Sequence, residues 1–350
     1  MIDRYPFPEK TVYKVLLAAY LFLILYFTRV SQVSHYLIGF YMAQFVSLLL
    51  TAGAALFFLI YRRKDFKRIV LNYRVALALL FAAAILIPMV RKRDWQMMYF
   101  SILFSILIGV FLSYFVTCCQ AAKAYTLILT ALAAYSLLTF FLLRPLADRG
   151  ILPLPVFVND YGGEFYNFFF AFVPKTLVRE RNFGIFREPG VYQFFLVLAL
   201  YLSFYHVDWE KHWHMWLCTG ILCVTILSTF STGAVLAMGL LLITVYFERK
   251  LYREKPGRIL TIAALVLTAA ALGYLVIYKP PLYTTLVYMF RKVTPGNLSF
   301  DDRFESIRVN LHLLSFNPKV GRNVSYILEI IQDNTSSTTI LFAILGVISG

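Results

Sequence analysis

The chain has 350 residues, of which 60% are hydrophobic, 17% aromatic and only 15% charged. Its mean hydropathy is +0.72, which excludes an ordinary soluble domain. The net charge of +15 is not confined to one face of the membrane, so an anionic lipid or substrate is expected as a partner, and no nucleic acid.

In chain order, apolar runs long enough to cross a bilayer as helices fall at about 12–30, 36–60, 70–90, 96–117, 121–143, 190–206, 213–230, 234–247 and 259–277, with a last one starting near 337. The runs are continuous, not alternating, which argues against a β-barrel. The first run, after "MIDRYPFPEK", is longer than a signal-peptide core and lacks a small-x-small cleavage site, so it reads as a retained span. Cys118, Cys119, Cys218 and Cys223 lie in or beside spans and offer neither a disulfide framework nor a zinc pattern. No Asp-x-Asp pair suggests a metal site, and no cofactor is expected. His212 and His214, interleaved with tryptophans, read as part of an interfacial belt. The final run stops at Gly350 after too few residues to span, so the C-terminal end is expected to be incomplete.

The short connectors "YRRKDFKR" (61–68) and "ERKLYREKPGR" (248–258) each carry five Lys or Arg and are assigned to the cytoplasm, with the N-terminus on the same side. "RKRD" at 91–94 then lies outside, against that bias. The expected fold is therefore an all-α, polytopic membrane helix bundle of about ten spans, with 1–350 as one transmembrane domain and two long outer-face loops at 144–189 and 278–336. "STFSTG" (228–233) reads as a tight outer turn.

Outer-face cations are not required by topology, yet residues 144–187 hold six Lys or Arg and residues 279–322 hold seven. Arg suits bidentate grip on phosphate. In loop two, "SFDDRFESIRVNLHLLSFNP" has a helix signature: Ser299 and the acids begin it and Pro318 ends it. Phe304, Ile307, Leu311 and Leu314 form its apolar stripe, with Arg303 and Arg308 on opposite borders. A shorter amphipathic stripe, Leu282, Leu286, Phe290 and Val293, precedes it. Asp333 and Asn334 stand just before the last run, where Asn334 suits an N-cap and Asp333 a reactive carboxylate.

In loop one, "RNFGIFREPG" (181–190) places Arg181, Arg187 and Glu188 at the mouth of a span, with Pro189 and Gly190 turning the chain into it. This stretch, the break "STFSTG", then "DRFESIRVNLHLLSFNPKVG" and "DNTSSTTILFAILG", resemble in order the O-antigen or capsular polysaccharide polymerase and ligase family. Arg179 to Gly190 also looks like that family's Arg-x10-Gly loop pattern. The likeness covers residues 179–350. It departs where Gly321 is followed by Arg322 and Asn323, where Thr232 stands for a common Arg, and where Asp333 stands for the His of ligase members. These departures favour a polymerase over a ligase.

The resemblance implies a metal-independent glycosyltransferase of the C-type superfamily in the bacterial cytoplasmic membrane. Its reaction joins undecaprenyl-pyrophosphate-linked repeat units into surface polysaccharide on the outer face, with membrane lipids and a chain-length regulator protein as partners. That chemistry needs cations at the leaving pyrophosphate, for which Arg179, Arg181, Arg187, Arg303 and Arg308 are the candidates, and a proton acceptor, for which Glu188 and Asp333 are. The competing readings are an O-antigen ligase and a flippase of lipid-linked oligosaccharide; the second is disfavoured because the spans carry almost no mid-membrane charge.

Overall fold

The computed structural model describes residues 11–28, 30–61, 73–93, 97–158, 162–176, 180–250 and 253, with 301, 304–305, 307–309 and 311–312. In chain order the elements are α1 (Thr11–Tyr26), α2 (Phe40–Tyr61), α3 (Tyr73–Lys92), α4 (Met97–Phe115), α5 (Cys118–Leu138) and α6 (Arg144–Asp148). Then follow β1 (Val156–Val158), β2 (Glu164–Asn167), β3 (Phe172–Pro174), α7 (Pro189–Tyr205), α8 (His212–Ser228) and α9 (Thr232–Glu248). Single π-turns occur at Val33–Leu37 and Thr139–Leu143. The fold is mostly helical, as expected. The helices at 189–205, 212–228 and 232–248 begin and end within two residues of the expected spans. The expected runs at 259–277 and from 337 lie outside the described residues.

The contacts divide the chain into two compact units, Met1–Leu50 with Val116–Met289, and Thr51–Phe115 with Phe290–Gly350. In the first, α7 packs against α5, α8 and α9, and α5 also packs against α8 and α1. Leu129 and Ala133 of α5, Leu196 and Ala199 of α7, and Leu222 and Ile226 of α8 are wholly buried. Their three- and four-residue spacing places each set on one helix face. The outward faces are apolar as well: Phe194, Leu198, Leu217, Val224, Leu236 and Leu240 are exposed. A helix that is apolar all round has no water-facing side to offer.

Local chemistry explains where these helices start. Thr117 Oγ1 accepts from the Gln120 amide at 3.2 Å while Gln120 Oε1 accepts from the Thr117 amide at 3.2 Å, a reciprocal cap on α5. α7 starts with Pro189 in its first turn, where the missing N–H costs nothing, after an extended Glu188. The helix from Cys118 runs through the π-turn to Asp148 as 31 residues, and among the described residues it alone is long and apolar enough to cross a membrane. α7, α8 and α9 are apolar helices of 17 residues each.

Helices α5, α7, α8 and α9 alternate in direction. At one end Lys123 meets Glu210 at 3.6 Å, and Arg249 Nη2 donates to the Phe204 carbonyl at 2.6 Å. At the other end Asp148, Glu180 and Phe230 come together. That alternation is the one required if 144–189 and 228–233 share a side.

The segment 144–189, expected only as a loop, holds an antiparallel sheet of order β1-β2-β3. Phe157 pairs with Phe165, and Phe165 with Pro174. Aromatic rings supply the sheet's packing: Phe157 stacks on Phe165 at 5.5 Å, and Phe183 meets Phe165 edge-on at 5.1 Å. The turn after β2 is tied to helices, since Tyr135 donates to the Phe168 carbonyl at 2.8 Å and Tyr26 to the Phe169 carbonyl at 2.9 Å. Glu164 sits 2.8 Å from Lys175 and, by hydrogen bond and charge, raises the ammonium above its ordinary pKa.

In the second unit Ile85 and Met89 of α3 bury with Tyr99 of α4, and Val309 packs on them. The described residues of 301–312 are helical, as expected, and Phe304, Ile307 and Leu311 of the apolar stripe are exposed.

The burial pattern makes a paired prediction. Leu222→Ala opens a cavity in the first unit and should cost about 2–5 kcal/mol, whereas Leu227→Ala on the outward face of the same helix should cost far less. Thermal unfolding of the purified protein in detergent checks both; equal losses would refute the assigned inward face.

Candidate functional site

The stretch 180–190 is a strap laid across the end of the α5–α7–α8 bundle. Its centre is buried: Asn182 is 1% exposed and Phe186 0%. The Asn182 amide nitrogen donates to Ser136 Oγ on α5 and to Ser228 Oγ on α8, each at 3.1 Å. The Asn182 backbone N–H donates to the Ser228 carbonyl at 2.9 Å, and Oδ1 accepts from the Gly184 N–H at 3.0 Å. Ser136 gives its one proton to the Ala133 carbonyl at 2.9 Å. Its oxygen therefore accepts from Asn182 and from the Tyr192 hydroxyl, which lies at 3.0 Å. One amide thus joins α5, α8 and, through Ser136, α7.

Gly184 has to be glycine on two counts. Its φ is +55°, and a Cβ there would lie 2.7 Å from ring carbons of Tyr192. The strap then threads between neighbours: the Phe172 amide donates to the Gly184 carbonyl at 2.7 Å, the Gln32 amide to the Ile185 carbonyl at 2.9 Å, and the Arg187 amide to the Val30 carbonyl at 2.9 Å. Phe186 stacks against Tyr192 at 5.3 Å and Phe195 at 4.5 Å. The sheet, the α1–α2 link and the bundle therefore converge on six residues.

The charged residues stand on either side of this buried centre. Arg181 is half-buried, and its Nε donates to the Thr229 carbonyl at 3.0 Å. Arg187 is half-buried at the far end, and Glu188 is exposed as the residue before α7, its carbonyl accepting from the Val191 and Tyr192 amides. Glu188 makes no side-chain cap bond. The structure thus brings Arg181, Arg187 and Glu188 onto one strap. Arg308 belongs to the other unit, where it is exposed and paired with Glu305 at 2.9 Å. Arg179, Arg303 and Asp333 lie outside the described residues.

Beside the strap, an open cleft of about 590 Å³ is lined by Phe140, Phe141, Arg144, Asp148, Glu180 and Phe230. Arg144 Nε lies 3.6 Å from Asp148 Oδ2 with its guanidinium 5.3 Å above the Phe140 ring, and Tyr166 donates to Asp148 Oδ1 at 3.1 Å. The sequence reading did not single out Asn182, Ser136, Tyr192, Ser228 or this cleft. A serine inside an apolar helix is a weak signal, since such residues usually bond back to their own helix. Ser136 and Ser228 do so, and also receive Asn182. No family model, characterised protein or solved structure matches the chain.

Two glycines in the strap give opposite expectations. Gly184→Ala should cost about 1–2 kcal/mol for the left-handed backbone alone, and more for the contact with Tyr192. Gly190, inside α7 with nothing within 4 Å of an added Cβ, should accept alanine with no loss. Thermal unfolding distinguishes them, and equal tolerance at both positions would refute the strap geometry. Asn182→Ala should cost about 1–3 kcal/mol because partners of a buried amide lose their bonds, read in the same assay.

Proposed function

We propose that the chain is a polytopic glycosyltransferase of the bacterial cytoplasmic membrane that polymerises undecaprenyl-pyrophosphate-linked oligosaccharide repeat units on the outer face. The observation that carries this reading is the strap: a rigid, buried Asn182–Phe186 centre with Arg181 and Arg187 at its two ends and Glu188 beside the second. The stretch so held is the one whose order with "STFSTG" resembles the polymerase and ligase family. The apolar outward faces of α7, α8 and α9 support a membrane setting, and about ten spans remains the reading of the whole chain. A single transmembrane domain with two outer loops belongs to the same proposal.

In this reading the acceptor sugar hydroxyl attacks the anomeric carbon of the growing chain, and lipid pyrophosphate leaves. Arg181 and Arg187 stabilise the charge that develops on the leaving oxygen, with Arg179, Arg303 and Arg308 as the further cations. An arginine held by its surroundings stabilises that charge without having to reorganise during the reaction. Arg181 satisfies this: its Nε donates to the Thr229 carbonyl at 3.0 Å, and a guanidinium is the side chain suited to a bidentate grip on an anion.

Purified protein in liposomes with lipid-linked repeat units tests the proposal. Longer glycan chains are expected from the wild type, and a loss of about 100- to 1000-fold in rate from Arg181→Ala and from Arg187→Ala. Arg181→Lys should also fail, because an ammonium cannot hold the Thr229 carbonyl and an anion in the same fork. Transfer of the lipid between leaflets with no new glycosidic bond would replace the polymerase by a flippase. Normal-length polymer from all three variants would remove the strap arginines from the reaction.

A further inference from the structure

We infer that the cleft between α6, the strap and the α8–α9 turn is the subsite for the acceptor sugar, with Glu180 taking the proton from its attacking hydroxyl; the role in polymerisation rests on the function proposed above. Three observations converge. First, the lining is mixed in a particular way: Phe141 is 55% exposed, and the half-buried Phe230 forms the wall at the turn. Phe140 is buried beneath the Arg144 guanidinium. Ring faces stack on the apolar C–H faces of sugars, while carboxylates accept from sugar hydroxyls.

Second, the described lining offers an unengaged carboxylate beside an internally paired Arg144 and Asp148. Arg144 and Asp148 offset one another, one positive against one negative, and the Arg144 side chain is only 14% exposed. Among the described residues Glu180 has no hydrogen bond or ion pair, so its carboxylate is placed to accept from a sugar hydroxyl. The volume of about 590 Å³ lies within the usual range for a small-ligand site.

Third, the cleft is mechanically joined to the anion-binding strap. The Arg181 Nε bond to the Thr229 carbonyl fixes the residue next to Glu180 to the residue next to Phe230. Both walls are thus locked by one contact, and Glu180 adjoins in sequence the arginine assigned to the leaving group. Phe230 takes a φ of +47°, so the turn is held in one form. Of the carboxylates expected from sequence, Glu188 lies at the other end of the strap, and Asp333 lies outside the described residues.

The step balances as a substitution. The acceptor hydroxyl oxygen bonds to the anomeric carbon as the bond from that carbon to the pyrophosphate oxygen breaks. The electron pair leaves with the pyrophosphate, and the hydroxyl proton passes to the Glu180 carboxylate and from there to water.

Full-length protein in nanodiscs tests this with two probes: the oligosaccharide released by mild acid from the cells' own lipid-linked repeat unit, and inorganic pyrophosphate. By calorimetry the oligosaccharide should bind the wild type, and Phe141→Ala and Phe230→Ala should each weaken it about tenfold. Phe141→Tyr and Phe230→Tyr, which keep the ring, should retain binding and so exclude misfolding. Pyrophosphate should bind equally to all five proteins. Glu180→Gln should keep oligosaccharide binding within a few-fold and slow polymerisation by about 100-fold or more. Oligosaccharide affinity indifferent to the alanine variants would overturn the subsite. A wild-type rate in Glu180→Gln would overturn its proton role. A wild type that binds the oligosaccharide through Phe141 and Phe230 yet makes no polymer would support the sugar site while refuting the polymerase reading and, with it, the proton role.

Discussion

The grip of the Asn182 amide on Ser136 and Ser228 is the contact on which the site depends. Each partner is buried, so water cannot replace a lost bond, and an amide in an apolar interior is costly unless every group finds a partner. Asn182 meets that condition with four bonds, two from its side-chain nitrogen, one to its side-chain oxygen and one from its backbone. Because two of those bonds end on different helices, the strap cannot shift unless α5 and α8 move with it.

That constraint explains the unusual composition of the strap. Its centre is apolar and aromatic because it fills the end of a helix bundle, and Gly184 is required because Tyr192 occupies the space a side chain would need. Its charges are displaced to the two ends, where the chain emerges. A flexible loop would carry the same arginines, but in the proposed function it would lose ordering entropy each time an anion bound. Here that ordering is already achieved by folding.

The small sheet plays a supporting part in the same arrangement. Its phenylalanine rings cover the strap from one side, while Tyr26 and Tyr135 tie the β2–β3 turn to α1 and α5. Asp148, held by Arg144 and Tyr166, links the end of the 31-residue helix to that sheet. The cleft is therefore bordered by a helix end, a strap and a turn, each fixed by a separate contact, and none of the three forms it alone.

Much of the helical framework was legible in the sequence, because continuous apolar runs with polar breaks are a property of neighbouring residues. α7, α8 and α9 fall where those runs fall, and Arg181, Arg187 and Glu188 are conspicuous as charges beside them. The sheet was not legible: strands of three or four residues are too short to show alternation, and phenylalanine runs suit helix and strand alike. Nor was the junction of Asn182, Ser136, Tyr192 and Ser228, whose members lie 46 or more residues apart from at least one partner. Sequence by itself determined which segments are apolar helices and where cations accumulate. Only tertiary structure decided that Asn182 locks the strap and that Glu180, Asp148 and Phe230 share a cleft, because hydrogen bonds and ring contacts between distant segments exist only once packing has brought them together.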